Sequence, residues 1–239
     1  MILAILQARL SSTRLPGKVL KPILGEPMLA RQIERVRRAE TLDRLIVATS
    51  VEASDDPVEQ ACGRIGVDCF RGSLADVLDR YYQAARQWSA DHVVRLTGDC
   101  PLTDPALIDE VVAHYQRANV DYASNVLQRT FPKGLDVEAL SFATLERAWR
   151  EAVTSEHREH VTLFVRERPD RFTHGSFRQE ADFSHLRWTV DEPEDFEFTR
   201  RVFEELYPTN PCFDRSDVLE LLRRKPELAE INAACGEMS

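Results

Sequence analysis

The chain has 239 residues, 43% of them hydrophobic and 30% charged, and a formal net charge of −9 at pH 7. This acidic balance disfavours nucleic acid as a partner, because neutralising phosphates requires lysine and arginine. The sequence has no run of about 18 apolar residues, so we expect no membrane helix, and no basic segment precedes the apolar N-terminus, which disfavours secretion. Five cysteines without a CxxC pair indicate reduced thiols and a cytoplasmic location.

Apolar runs alternate with amphipathic stretches in the first half of the chain. The runs predict strands over residues 2–7, 45–49, 67–70 and 92–96. Helical spacing and Asp-Pro starts predict helices over 28–38, from 56 onward, over 74–88 and over 105–117. Strand–helix alternation gives parallel strands joined by crossover helices. We therefore expect an α/β, Rossmann-like αβα sandwich with a mostly parallel sheet, whose ligands bind beyond the carboxyl ends of the strands.

The second half has a less regular pattern. It predicts strands over 121–126, 135–140, 172–177 and 186–190. It predicts helices over 141–151, 155–167, 193–206 and 216–223. With no repeat and no Gly/Ser-rich linker, we expect a single domain over 1–239 that carries a β-rich insertion at about 125–190.

The segment after the first predicted strand is basic. Residues 1–25 carry four cations and no acid, namely Arg9, Arg14, Lys18 and Lys21. Small residues at positions 8, 11, 12 and 17 would let the backbone approach a ligand closely, and backbone N–H groups with two or three cations could cradle phosphates. The segment matches neither a P-loop nor a GxGxxG fingerprint, but it predicts a local anion site.

Two aspartates follow predicted strands further along the chain. Asp99 lies in a loop opened by Gly98, a position suited to a hard cation. Asp191 ends a second apolar run, just before Pro193 begins a helix. The alternative for each is to cap the following helix. The two carboxylates are 92 residues apart in sequence, so only the fold can bring them together.

The basic segment, QARLSSTRLPGK over 7–18 followed by GEPM over 25–28, resembles the signature loop of sugar nucleotidyltransferases. It is most similar to the cytidylyltransferases that make CMP-activated acidic sugars, such as the CMP-deoxy-octulosonate and CMP-acylneuraminate synthetases, and within them to the SpsF group (spore coat polysaccharide biosynthesis protein F). The resemblance covers about residues 1–200. Its further motifs are RGS at 71–73, DVLDRY at 76–81, TGDCPL at 97–102, GLDVE at 134–138 and REHVT at 158–162.

The resemblance implies a nucleotidyltransferase fold, a homodimer and Mg²⁺-dependent transfer of CMP from CTP to a sugar, an acidic one, in surface polysaccharide synthesis. Asp99 and Asp191 would bind Mg²⁺, and together with Arg9 and Lys18 they are the catalytic candidates. The expected nucleotide-binding residues are Ala8, Arg9, Leu10, Ser11, Ser12, Arg14, Lys18, Arg71, Thr97 and Asp99. The synthetases usually have Gln at the position of Thr97, so the resemblance leaves the choice of base open.

Candidates for the sugar site are Asn125, Lys133, Asp136, Glu138, Arg158, Glu159 and His160. Arg158 or Lys133 could pair with a sugar carboxylate, and the alternative for each of the seven is an internal contact. Two other functions also fit the pattern. A glycosyltransferase of the same fold usually carries a DxD motif, whereas this chain has Gly98-Asp99-Cys100. A non-catalytic nucleotide-binding module need not retain both carboxylates.

Overall fold

A seven-stranded sheet forms the centre of the computed structural model, which describes residues 1–236. The strands in chain order are β1 (Ile2–Gln7), β2 (Pro22–Ile23), β3 (Glu26–Pro27), β4 (Arg44–Ser50), β5 (Asp68–Gly72), β6 (His92–Thr97), β7 (Tyr122–Ser124), β8 (Glu138–Ser141) and β9 (His174–Ser176). The sheet order is β5-β4-β1-β6-β8-β7-β9, and β2 pairs with β3 separately.

Helices cover both faces of the sheet. They are α1 (Met28–Val36), α2 (Asp56–Ile65), α3 (Val77–Gln87), α4 (Pro105–Ala118), α5 (Phe142–Glu151), α6 (Ser155–Glu159), α7 (Leu163–Arg166), α8 (Pro193–Leu206), α9 (Arg215–Arg224) and α10 (Glu227–Glu230). Asp104 begins α4 as its N-cap, accepting the Leu107 N–H at 2.9 Å. Within residues 1–236, the helices are all too short or too polar to cross a bilayer.

Strand direction and burial confirm the predicted α/β class. β5, β4, β1 and β6 are parallel neighbours, and β8 alone runs antiparallel to the rest. Alternate residues of β1 enter two different cores: Leu6 packs in the cluster that includes α1, α4 and α8, whereas Ile5 packs in the cluster with α3 and α5. Because both faces are buried, the strand is a continuous apolar run rather than an alternating one.

Residues 125–190 differ from the β-rich insertion we expected. They contain two short strands, β8 and β9, which belong to the main sheet, and three helices, α5 to α7. The predicted strand over 186–190 is wrong. Its backbone instead meets two loops, since the Trp188 N–H donates to Lys133 O and the Val190 N–H donates to Asp99 O. The predicted helix over 155–167 is split at His160, whose ψ of 59° is not helical, and beyond the break Thr162 donates its hydroxyl to Glu138.

Candidate functional site

A cavity of about 340 Å³ opens at the carboxyl ends of β1 and β6, the edge where ligands of parallel sheets bind. It is lined by Gln7, Ala8, Arg9, Ser12, Thr13, Arg14, Lys18, Val19, Arg95, Thr97, Gly98, Asp99, Glu159, His160 and Asp191. The cavity therefore gathers most of the predicted nucleotide-binding residues, both aspartates and His160 of the sugar-binding set.

Gly98 brings the loops after β1 and β6 into contact. Its N–H donates to Gln7 O at 2.7 Å, and a Cβ built at position 98 would lie 2.9 Å from the same oxygen. A side chain at this position would push the two loops apart. The glycine of the TGD motif thus sets Asp99 directly beside the basic loop.

Hydrogen bonds of its backbone, one of them to a side chain outside the loop, fix the conformation of the basic loop. The Leu10 N–H donates to the buried Asp55 carboxylate at 2.7 Å, and Leu10 O accepts the Gly17 N–H at 3.0 Å. Gly17 has a φ of +71°, a left-handed conformation that favours glycine. Leu10 and Ser11 lie outside the cavity lining, so the structure places Ala8, Arg9, Ser12 and Lys18 toward a ligand instead.

Lys18 joins the two aspartates. Its ammonium donates to Asp191 Oδ1 at 2.9 Å and to Val190 O at 2.7 Å, and it lies 3.7 Å from Asp99 Oδ2. The lysine is only 8% exposed, so these contacts form in a largely desolvated place where charge interactions are strong. The fold has brought together two carboxylates that are distant in sequence.

Asp191 lies among three cations. Besides Lys18, Arg14 Nη2 approaches Asp191 Oδ2 at 3.2 Å and Arg187 Nη2 approaches it at 3.4 Å. Burial by itself would raise the pKa of Asp191, but the three cations outweigh it and hold that pKa below its ordinary value. The carboxylate is therefore kept ionised, as a cation ligand must be.

The segment before Asp191 packs against Gly134. This glycine has a φ of +109°, and a Cβ there would lie 2.3 Å from the Thr189 nitrogen. Lys133 O accepts the N–H groups of Trp188 and Thr189. This close contact between two backbones fixes the position of Asp191, which follows the segment. It also explains why the GLDVE motif begins with glycine.

Arg9 and Arg95 are two further cations of the cavity lining. The Arg9 side chain makes no hydrogen bond with any residue in the described range 1–236, so it is available to an anion. Arg95 forms an ion pair with the buried Glu138, which also accepts the Tyr122 hydroxyl at 2.5 Å and the Thr162 hydroxyl at 2.7 Å. The sequence interpretation missed Arg95, although an arginine inside the apolar run VVRLT was a signal.

Most predicted sugar-binding residues have other partners. The Asn125 amide is buried and bonds Leu135 O at 2.7 Å and the Val137 N–H at 2.9 Å. Arg129 binds both oxygens of Asp136, at 2.6 and 2.9 Å. Glu138 belongs to the Arg95 pair. The structure therefore uses these side chains to satisfy backbone and buried charge, and does not bring them into the cavity.

The two expected partners of a sugar carboxylate also lie elsewhere. Arg158 bonds Asp76 Oδ2, at 2.9 Å from its Nε, and donates Nη1 to Trp149 O at 2.6 Å, whereas Lys133 is exposed outside the lining. His160 and Glu159 do reach the cavity. They stand at the corner between α6 and α7.

Arg71, expected to face the base, is also outside the cavity lining. Its guanidinium donates to Ser50 O and to Glu52 O, each at 2.9 Å, and pairs with Asp56 at 2.7 Å and Glu59 at 2.9 Å. All three guanidinium nitrogens are thus engaged by β4, by α2 and by the turn between them. A base contact from Arg71 would require these bonds to break.

The donor set at the aspartates fits Mg²⁺ delivered with a nucleotide. Nowhere in residues 1–236 do three acidic, Cys or His side chains form a complete metal cage. In sites that bind Mg²⁺ together with a nucleotide, the ion is usually held by one or two carboxylates and by the phosphates of the substrate. Asp99 and Asp191 supply two carboxylates that already converge on one cationic group, the Lys18 ammonium.

A mostly parallel sheet, with a basic loop and two convergent aspartates at its carboxyl edge, defines a nucleotidyltransferase. A family model described as cytidylyltransferase matches residues 3–224, and the chain belongs to this family. Membership supports the nucleotidyltransferase interpretation over a glycosyltransferase or an idle nucleotide-binding module.

Two relatives match along nearly the whole chain, and a third matches about half of it. The spore coat polysaccharide biosynthesis protein SpsF of Bacillus subtilis is 34% identical over 237 residues, which covers 95% of this chain and 96% of that protein. An uncharacterized protein of Methanocaldococcus jannaschii is 35% identical over 235 residues, 97% of this chain and 94% of that one. The maize 3-deoxy-manno-octulosonate cytidylyltransferase is 40% identical over 126 residues, 48% of this chain and 38% of that enzyme.

Solved structures agree with the fold. A cytidylyltransferase from Leptospira borgpetersenii has a TM-score of 0.90 at 32% identity, covering 95% of this chain and 96% of that one. A CMP:2-keto-3-deoxy-manno-octonic acid synthetase complexed with CTP has a TM-score of 0.68 at 20% identity, covering 86% and 99%. The second shows that the shared fold extends to a more distant enzyme.

Proposed function

We propose that the protein transfers CMP from CTP to a hydroxyl of a sugar, an acidic one, and releases pyrophosphate during synthesis of a surface polysaccharide. The observation that carries this proposal is the meeting of Asp99 and Asp191 at the Lys18 ammonium, beside the basic loop. The names of the SpsF and 3-deoxy-manno-octulosonate relatives support the sugar and the polysaccharide.

The basic loop accounts for binding of the triphosphate. Arg9 has no hydrogen-bond partner among residues 1–236, and Lys18 and Arg14 stand at the same wall of the cavity. These cations offset the negative charge of the three phosphates and favour the charge that develops on the pyrophosphate oxygens as the bond breaks. Because the loop is already held by Asp55 and its own backbone, little ordering is needed when CTP binds.

Asp99 and Asp191 would hold Mg²⁺. When bound, the ion would neutralise phosphate charge and polarise the α-phosphate toward attack. The protein keeps Asp191 ionised through its three neighbouring cations and keeps Asp99 beside the basic loop through Gly98. Both carboxylates are thus ready before a ligand arrives.

The acceptor would enter on the β8 side of the cavity, opposite the basic loop. Arg95, Glu159 and His160 line this side. Arg158 and Lys133 lie outside the lining, whereas Arg95 lies in it and pairs with Glu138 through Nη1. Arg95 is therefore the cation we assign to an acidic group of the sugar. Hydroxyls of the sugar would meet Glu159 and His160.

A thermal-shift panel of the four nucleoside triphosphates with and without Mg²⁺ tests the nucleotide. A ligand at a hundred times its dissociation constant adds about 2.7 kcal/mol of stability, and we expect CTP with Mg²⁺ to give the largest shift. Pyrophosphate release from CTP is then measured with sugar acids and with neutral sugars. Stabilisation by another nucleotide alone, or release that ignores the sugar, contradicts the proposal. A Thr97→Gln variant tests whether a threonine at this position makes the protein less selective for CTP over the other nucleoside triphosphates.

A further inference from the structure

A buried carboxylate, Asp195, stands behind the proposed metal ligand Asp191. Asp195 is fully buried in the first turn of α8. Its Oδ2 accepts the backbone N–H of Asp191 at 2.9 Å and that of Glu192 at 3.0 Å. Asp195 therefore holds the backbone from which the Asp191 side chain projects.

Two further side chains hold Asp195. Arg187 donates Nε to Oδ1 and Nη2 to Oδ2, each at 2.8 Å, and the same Nη2 lies 3.4 Å from Asp191 Oδ2. Asn232 donates its Nδ2 to Asp195 Oδ1 at 2.9 Å and to Arg187 O at 2.9 Å. The asparagine is only 3% exposed, so its amide is committed to this network.

Asn232 comes from a part of the chain that the family match does not include. The match ends at residue 224, whereas Asn232 lies between α10 and the final turn, Ala233–Gly236. The segment packs on α8 through Leu228 and its neighbours. The contact to Asp195 is thus a feature of this chain's C-terminal segment.

We propose that Asn232 is a positioning residue of the metal site, which sets the Asp191 carboxylate through Asp195 and Arg187. This inference rests on the proposed function, because Asp191 matters as a ligand only if the protein binds Mg²⁺ with CTP. Groups that hydrogen-bond a metal ligand typically change metal affinity 10- to 100-fold when removed, and because Asn232 acts one contact further from the ligand we expect the lower end of that range, about 10-fold. Without the amide, Asp195 Oδ1 and the backbone carbonyl of Arg187 each lose a buried donor, and only Arg187 is left to hold the Asp195 side chain.

The test is a Mg²⁺ titration of the full-length protein at saturating CTP, read by thermal shift and by calorimetry. We expect Asn232→Ala to need about 10-fold more Mg²⁺ than the wild type, with CTP binding in EDTA unchanged. Asn232→Asp should need at least as much, because its carboxylate cannot donate to Asp195. Asn210→Ala is the matched control, since Asn210 is an exposed asparagine whose contacts, to Asp217 and Cys212, lie away from the site.

A double-mutant cycle separates positioning from a general structural role. Added to Asp191→Ala, the Asn232→Ala change should cause no further increase in the Mg²⁺ requirement. If Asn232→Ala unfolds, Asn232→Ser keeps a donor and should give an intermediate requirement. A wild-type Mg²⁺ requirement in folded Asn232 variants overturns the inference, as does an equal loss of CTP binding with and without Mg²⁺. A wild-type protein whose CTP affinity ignores Mg²⁺ overturns the proposed metal function itself, and that is seen before any variant is made.

Discussion

The two sides of the cavity use their polar side chains differently. On the β1 side, Arg9 has no hydrogen-bond partner within the described residues, and the Lys18 ammonium contacts both aspartates in the cavity. On the β8 side, Asn125, Asp136 and Arg158 are bound to protein neighbours. Polar groups near buried strands must find partners within the fold. Polar groups of the basic loop, at the carboxyl ends of the strands, remain available to a ligand. Motif residues in the loop are therefore the better guide to the site.

Loss of Glu138 should give the largest effect, and that effect is on stability. Glu138→Ala removes the partner of the partly buried Arg95 and leaves the buried hydroxyls of Tyr122 and Thr162 without their acceptor. Breaking such a buried charged network typically costs about 3–5 kcal/mol. Urea unfolding measures the loss. Normal stability combined with a raised KM for the sugar would instead show that Glu138 binds the sugar.

The same carboxylate gives a pH dependence. Burial alone would raise the pKa of Glu138, but Arg95 and the hydroxyls of Tyr122 and Thr162 outweigh it, so the pKa lies below its ordinary value. Its stabilising contribution is then complete above the unfolded pKa of about 4.3 and is lost as the pH falls through the lower folded pKa. Unfolding midpoints across this range should fall less steeply for Glu138→Gln than for the wild type, and equal slopes would exclude Glu138 as the cause.

Lys18→Ala and Asp99→Ala should come next, with an effect on catalysis. Each removes a charge aimed at the phosphates or their cation, worth roughly 2–4 kcal/mol of barrier, or about 10²–10³ in rate. Pyrophosphate release measures the loss, and circular dichroism should show an intact fold.

Lys21→Ala is the matched control for Lys18, because Lys21 lies over the Phe196 ring at 5.4 Å and outside the cavity lining. It should release pyrophosphate at the wild-type rate. Near-normal turnover in Lys18→Ala or Asp99→Ala would remove the basis of the proposed function.

Asn125→Ala should lower stability by about 1–3 kcal/mol, because Leu135 O and the Val137 N–H would lose a buried partner. The kcat and the KM for the sugar should stay unchanged for the folded fraction. A selective rise in that KM would show that Asn125 touches the acceptor, and the contrast between the two sides of the cavity would then fail.

Arg71→Gln should give the smallest effect. Its ion pairs with Asp56 and Glu59 are partly exposed, and such pairs contribute about 0–1 kcal/mol. The KM for CTP should match that of the wild type. A higher KM for CTP with unchanged stability would show that Arg71 turns to the base when the nucleotide binds.

The sequence predicted what short motifs encode. The basic loop and Asp99 follow strands that end at the ligand edge, so the fold class brings them near one another. Asp191 follows an apolar run that is not a strand, and the bond from the Val190 N–H to Asp99 O brings it to the same place. Asp195 and Asn232 could not be found in this way, because their role depends on contacts between α8 and the C-terminal segment that no spacing records. From the sequence, Asp195 is indistinguishable from an ordinary acidic residue in the first turn of a helix.

The errors have the same physical origin. The run over 186–190 has the composition of a strand, but its neighbours in space are the loops at Lys133 and Asp99, and those partners decided its conformation. Similarly, the helical pattern over 155–167 is interrupted at His160, two residues before Thr162 donates its hydroxyl to the buried Glu138. Tertiary partners override local preference where few residues are involved.

The reversed direction of β8 has a consequence for how such enzymes diversify. Since β7 ends and β8 begins at the same edge of the sheet, the connection over residues 125–137 stays at the edge where the cavity opens, without crossing the sheet. Doubling the length of a flexible connection costs only about 0.6 kcal/mol of closure entropy. Evolution can therefore vary this stretch while leaving each strand pairing untouched, provided that it keeps the contact of Lys133 and Gly134 with residues 188–189 that positions Asp191.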